Sequence, residues 1–191
     1  MKKNSLRLFI AVDLPDIIKD KIEAITKPFL NKINCKKVKK ENFHLTLKFL
    51  GNIDINLIEK IENIMDSIEK EEIRFYFKLQ DSGYFPYNRY PSVLWISLKD
   101  EMNNILKINE YLENKIEETF GIKKEKRRFV PHITIARIRK SNEKILYKVE
   151  DFLPKINKEL QRIEIFEVKK IILFKSELKK EGAIYTPLYE V

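Results

Sequence analysis

Cysteine is almost absent from this chain: Cys35 is the only one in 191 residues. A lone thiol cannot close an internal disulfide, so a reducing, cytoplasmic setting is expected. Glycine is nearly as scarce, with four residues, which argues against the glycine-rich phosphate loops of nucleotide-binding folds. No apolar run reaches the ~18 residues that a membrane-spanning helix needs. The basic opening Met1-Lys2-Lys3-Asn4-Ser5-Leu6-Arg7 leads into an apolar stretch that Asp13 cuts short, so no secretory signal and no membrane association are expected. Histidine is also rare, with two residues, and neither His-x-His nor Cys-x-x-Cys occurs. A zinc site needs three or four ligands at workable spacing, and nothing here nominates them, so no metal and no cofactor is expected.

What is present is ordinary for a folded, soluble protein: 43% hydrophobic and 35% charged residues, in a chain long enough to bury a sizeable core. The net charge of +9 favours a polyanionic partner. The cations are not spread evenly. Lys36, Lys37, Lys39 and Lys40 precede His44, and Lys123, Lys124, Lys126, Arg127 and Arg128 precede His132. Positive potential beside two imidazoles suits a phosphate-bearing substrate.

Both histidines open the same pattern, His44-Leu45-Thr46-Leu47 and His132-Ile133-Thr134-Ile135. With five threonines in the chain, random placement would put Thr two positions after both histidines about once in 1,500 chains. Side chains alternate across a strand, so His and Thr at i and i+2 share a face. Around the first motif, Phe43, Leu45, Leu47 and Phe49 form an apolar face, and His44, Thr46 and Lys48 a polar one. In the second, Pro131, Ile133 and Ile135 oppose His132 and Thr134. Each motif reads as a strand with one face on the core and an imidazole and a hydroxyl on the other.

Further strands are expected at 6–12, 73–79, 93–98, 162–168, 171–174 and 184–190, with a turn-rich loop at 81–91. Helical stripes run through Ile18, Ile22, Ile25 and Phe29, ending near Pro28, and through Ile58, Ile61, Met65 and Ile68 behind an Asp54 cap. A third helix spans about 101–120 and stops at Gly121; residues 141–153 are weakly helical. Helix, basic run and His-Thr strand thus occur twice, 88 residues apart, which points to a divergent internal duplication. The expected fold is α+β, with two similar lobes whose antiparallel sheets surround a central cleft, helices outside and a pseudo-two-fold relation, forming one bilobal domain over 1–191.

A hydrolase built on Cys35 would leave the duplicated threonines unexplained, and a Ser-His-Asp centre would leave one motif idle. Attack on a phosphodiester fits better, because it needs a base for the nucleophile and an acid for the leaving oxygen. One neutral and one protonated imidazole supply both roles, and the hydroxyls donate to the non-bridging oxygens as charge builds there.

In these features the chain resembles the RNA 2′,3′-cyclic phosphodiesterases, or 2′–5′ RNA ligases, of the two-histidine phosphoesterase superfamily. The resemblance lies in 7–15 (RLFIAVDLP), 41–51 (ENFHLTLKFLG), 131–137 (PHITIAR), and the closing 174–178 (FKSEL) and 182–188 (GAIYTPL). It implies metal-independent hydrolysis of an RNA 2′,3′-cyclic phosphate to a 2′-phosphomonoester. By the same resemblance His44 is the proton donor, His132 the proton acceptor, Thr46 and Thr134 their partners and Arg137 a substrate contact. Sequence physics alone does not assign the proton directions. Strict alternation puts Arg137 on the face opposite His132, so only a bulge or strand end turns it into the cleft. The chain lacks the family's frequent Trp before the first motif, and Tyr84 stands where a small residue is usual, so base stacking and rim shape are expected to differ. The expected partner is RNA bearing a 2′,3′-cyclic phosphate end, met by a monomer. Reversible 2′–5′ ligation and a small cyclic nucleotide remain alternative reactions, and a non-catalytic RNA-binding protein is the alternative of another class.

Overall fold

The structure is a computed structural model describing residues 4–68, 73–179 and 182–191. Strand β1 (Ser5–Asp13) is followed by helix α1 (Asp16–Leu30). A short strand β2 (Lys36–Lys37) and a single 3₁₀ turn lead into β3 (His44–Asp54) and α2 (Ile58–Asp66). The hairpin β4 (Phe75–Tyr87) and β5 (Tyr90–Asp100) precedes α3 (Asn104–Phe120), β6 (His132–Arg137) and α4 (Glu143–Leu160). Strands β7 (Phe166–Val168), β8 (Ile172–Leu178) and β9 (Ala183–Glu190) complete it.

Among the described residues the strands form one curled antiparallel sheet, in the order β7-β4-β5-β6-β3-β1-β8-β9, with β2 beside β6. The fold is α+β, as expected, and the two lobes share this continuous sheet. Four strands lie on each side of the β6/β3 joint, and that joint is a single antiparallel rung, Leu45 opposite Ile133. α4 covers β4 and β5 with α1 packed beside it, while α3 covers β3 with α2 beside it. The apolar stripes explain this: Ile105, Ile108, Leu112 and Ile116 of α3, and Val149, Phe152, Ile156 and Leu160 of α4, are all buried.

Several elements depart from the sequence expectations. α1 runs through Pro28 to Leu30: the ring removes one i→i−4 bond, and buried Leu30 carries the apolar face on past it. α4 continues past Pro154 because its apolar stripe does, and the strand expected from residue 162 begins only at Phe166. The expected loop at 81–91 is mostly strand: Asn88 and Arg89, both at positive φ (47° and 66°), form the two-residue turn of a long hairpin. Gly83 is required there, since a Cβ would stand 2.5 Å from the Trp95 ring.

β-Bulges decide which side chains reach the cleft. Along β3, Thr46 pairs with Ala11 but Lys48 with Ile10, so Leu47 is the extra residue and the alternation shifts by one. This overturns the expected faces of Lys48 and Phe49. Lys48 turns inward, 2% exposed, and pairs with Glu113 of α3, whereas Phe49 is 58% exposed on the cleft side beside Phe9. β6 repeats the device. Thr134 pairs with Trp95 and Ala136 with Leu94, so Ile135 is the extra residue. Beyond it Arg137 lies on the same face as His132.

Candidate active site

The Leu45–Ile133 rung organises the site. Continuing its register by one residue each way sets His44 opposite Thr134 and Thr46 opposite His132. Leu45 and Ile133 are fully buried beneath, and the two histidines and two threonines are half-buried on the other face. All four residues read from the motifs thus meet around one local two-fold relation.

Each imidazole is held through Nδ1. In His44 it lies 2.7 Å from the Asn42 carbonyl and in His132 2.7 Å from the Val130 carbonyl. A carbonyl can only accept, so Nδ1 carries the hydrogen and Nε2 of the neutral ring is left as an acceptor. In His44 that nitrogen is 3.0 Å from Thr46 Oγ1, which donates to it. Asn42 is itself anchored by donating from Nδ2 to the Ala183 carbonyl, 2.8 Å away on β9.

Burial pushes the His44 pKa down to about 4; the Asn42 carbonyl and Asp13 act against the shift, and Lys19 reinforces it. Asp13 stands opposite His44 in the β1–β3 register and forms a 2.7 Å ion pair with buried Lys19. Burial also lowers the His132 pKa, with Arg137 adding its repulsion. Arg137, which the Ile135 bulge turns to the face of His132, also acts by its charge on Tyr185, as does Arg7.

Aromatic rings wall both histidines. Phe9 lies 5.0 Å from the His44 ring, and Tyr185 stands edge-on to it at 5.1 Å. Phe85 stands edge-on to His132 at 5.0 Å and packs on Trp95. The motifs alone did not nominate Asp13 or Tyr185, and Phe9 and Phe85 are legible in sequence only as aromatics able to stack on a base. The sequence signal available was weak: Phe9 and Asp13 share a period-2 face of β1, but aromatics of this kind more often pack a core. Tyr84, expected at the rim, lies opposite Leu94 and packs on the core. Of the first basic run, Lys36 pairs with Arg137 in register and extends the polar face, whereas Lys37 donates to Asn31 and Lys40 to Asp20. The second run lies in the irregular stretch before β6. Among the described residues, no group of three or more His, Cys, Asp or Glu side chains converges to hold a metal.

The family model described as LigT-like phosphoesterase matches this chain twice, over residues 12–95 and 98–185. The chain belongs to the LigT-like phosphoesterase family. Each match holds one His-x-Thr motif, so the LigT-like unit is repeated within the chain, as the spacing of the motifs indicated. The RNA 2′,3′-cyclic phosphodiesterase of Methanocaldococcus jannaschii is 38% identical over 97% of this chain and 99% of its own. The Aquifex aeolicus protein of the same name is 32% identical over 97% and 96%. Among solved structures, a Thermus thermophilus protein superimposes with a TM-score of 0.74 at 27% identity, covering 97% of this chain and 96% of its own. E. coli LigT, crystallised with 3′-AMP, shares the LigT-like fold at a TM-score of 0.76 and 22% identity, over 98% and 97% of the two chains.

Proposed function

We propose that this chain is an RNA 2′,3′-cyclic phosphodiesterase whose two motif histidines perform the acid–base chemistry. Water attacks phosphorus and gives its proton to Nε2 of His132; the bond from phosphorus to the 3′ oxygen breaks, and that oxygen takes a proton from Nε2 of His44. The product is a 2′-phosphomonoester with a free 3′ hydroxyl. Thr46 and Thr134 donate to the non-bridging oxygens, where charge accumulates in the transition state. Arg137 contacts the substrate phosphate.

The observation that carries this reading is the arrangement of two imidazoles and two hydroxyls on one sheet face, with both Nδ1 atoms committed to backbone carbonyls. The charge at His132 accords with an acceptor role, since Arg137 disfavours a proton there, while at His44 Asp13 favours a proton and Lys19 opposes it. Burial keeps His44 neutral in the free protein, and a bound phosphodiester supplies the negative charge that favours its protonation. One chain holds both motifs, so we infer a monomer of one bilobal domain over 1–191. The single cysteine accords with a cytoplasmic setting.

The test is an RNA oligonucleotide ending in a 2′,3′-cyclic phosphate, incubated with the protein in EDTA. Conversion to the 2′-phosphomonoester is expected. No product, product only on adding metal, or a 3′-phosphomonoester would reject the reading, and the first of these would favour a binding role.

A further inference from the structure

Between α3 and β6 runs the segment 121–131, which has neither helix nor strand. It carries Lys123, Lys124, Lys126, Arg127 and Arg128, with Glu125 as its one acidic residue, so its own charges repel. It ends at Val130 and Pro131, and the Val130 carbonyl orients the His132 ring. Ile122 and Phe129 pack on the core and the Pro131 carbonyl accepts from the Leu98 N–H at 3.0 Å, whereas among the described residues the stretch 123–128 between them is hydrogen-bonded to the body at one buried point. Lys48 Nζ donates to the Lys123 carbonyl at 3.0 Å and to Glu113 Oε2, and the same Oε2 accepts from the Glu125 backbone N–H at 3.2 Å. Lys48 is 2% and Glu113 8% exposed. A further ion pair, Lys124 with Glu117 at 3.8 Å, is partly exposed and contributes little.

A buried ion pair is poor evidence for stability, because apolar side chains of similar volume often serve a core as well or better. What apolar residues could not do is hold a backbone carbonyl and a backbone N–H of a charged, irregular segment. Lys48 lies two residues after Thr46, and the Leu47 bulge is what turns it inward. We propose that Lys48 and Glu113 are positioning residues: a buried clamp that fixes the basic segment 121–131 to the first motif strand and so sets His132 in register with His44. Apart from the Leu45–Ile133 rung, this links the first motif strand to the approach to the second. The proposal rests on His132 acting in the reaction, but the tether itself can be read without activity.

The test is the double variant Lys48→Met with Glu113→Leu, which keeps the site filled and leaves no lone buried charge. Amide hydrogen exchange is measured across 123–130, together with Tm and with kcat and KM on a 2′,3′-cyclic mononucleotide. Exchange in the segment is expected to accelerate at least ~10-fold with Tm little changed. The kcat is expected to fall at least ~10-fold, since a small misplacement of a catalytic group is costly. A loss confined to Tm is what a purely structural pair would give, and it would overturn the proposal. Unchanged exchange would overturn the clamp, and faster exchange with wild-type kcat would overturn the positioning role. Should the double variant not fold, Glu113→Gln, which removes the charge but keeps an acceptor, takes its place with the same readouts and a smaller expected loss. A wild-type protein inactive on every cyclic phosphate would reject the proposed function instead, leaving exchange to judge the clamp.

Discussion

In the free protein burial holds both imidazoles below their ordinary pKa, His44 at about 4. The proposed reaction needs His44 protonated and His132 neutral, so the two requirements give a bell-shaped profile. Because both pKa values are lowered, protons leave at lower pH than usual, and the alkaline limb of kcat/KM, which reports the free enzyme, is expected below pH 6.5. The limb of kcat belongs to the complex, where the phosphodiester charge raises the His44 pKa, and it is expected at higher pH. Parallel measurement of both profiles checks this; coincident limbs, or a kcat limb on the acid side, would contradict it. The histidines and threonines were legible in sequence as a repeated pattern. Asp13 and Tyr185 were not, because they reach His44 from strands distant in sequence and carry no motif of their own.

At the scale of elements, strand alternation was enough to place His44 with Thr46 and His132 with Thr134, and it failed one step further along each strand. A bulge belongs to a pair of strands, and its signal lies in the partner's register, which one sequence does not display. Hence alternation alone places Lys48 on the polar face and Phe49 in the core, and the structure exchanges them. The bulge at Ile135 is also what brings Arg137 to the cleft, the condition under which it can touch substrate. Arg137→Ala is expected to raise KM for a cyclic-ended RNA several-fold, corresponding to about 1–2 kcal/mol for a lost charged hydrogen bond, with a smaller change in kcat. Steady-state kinetics decides it, and an unchanged KM would remove Arg137 from the site. The long hairpin is illegible in sequence for a related reason. Gly83, Pro86 and Pro91 read as loop residues, yet Gly83 makes room for Trp95 and the prolines face each other near the hairpin end.

At the scale of the whole molecule the chain repeats itself. Each LigT-like unit supplies one His-x-Thr strand with a bulge just after it, and the two strands touch at one rung. The repeat was visible in the 88-residue spacing of the histidines, although little else in the halves aligns. That the halves would share a continuous sheet was not visible, because sheet order depends on pairings between residues far apart in sequence. The proposed active centre, divided this way, has a strict consequence: neither half can act alone. The most direct test is the rate of cyclic-phosphate hydrolysis by His44→Ala, His132→Ala and the double variant, each checked for folding. Each single substitution is expected to cost at least ~10²-fold, and the double variant is expected to be scarcely slower than the worse single one, because the residues act as a unit. Full activity in either single variant, or losses that multiply in the double, would contradict the account.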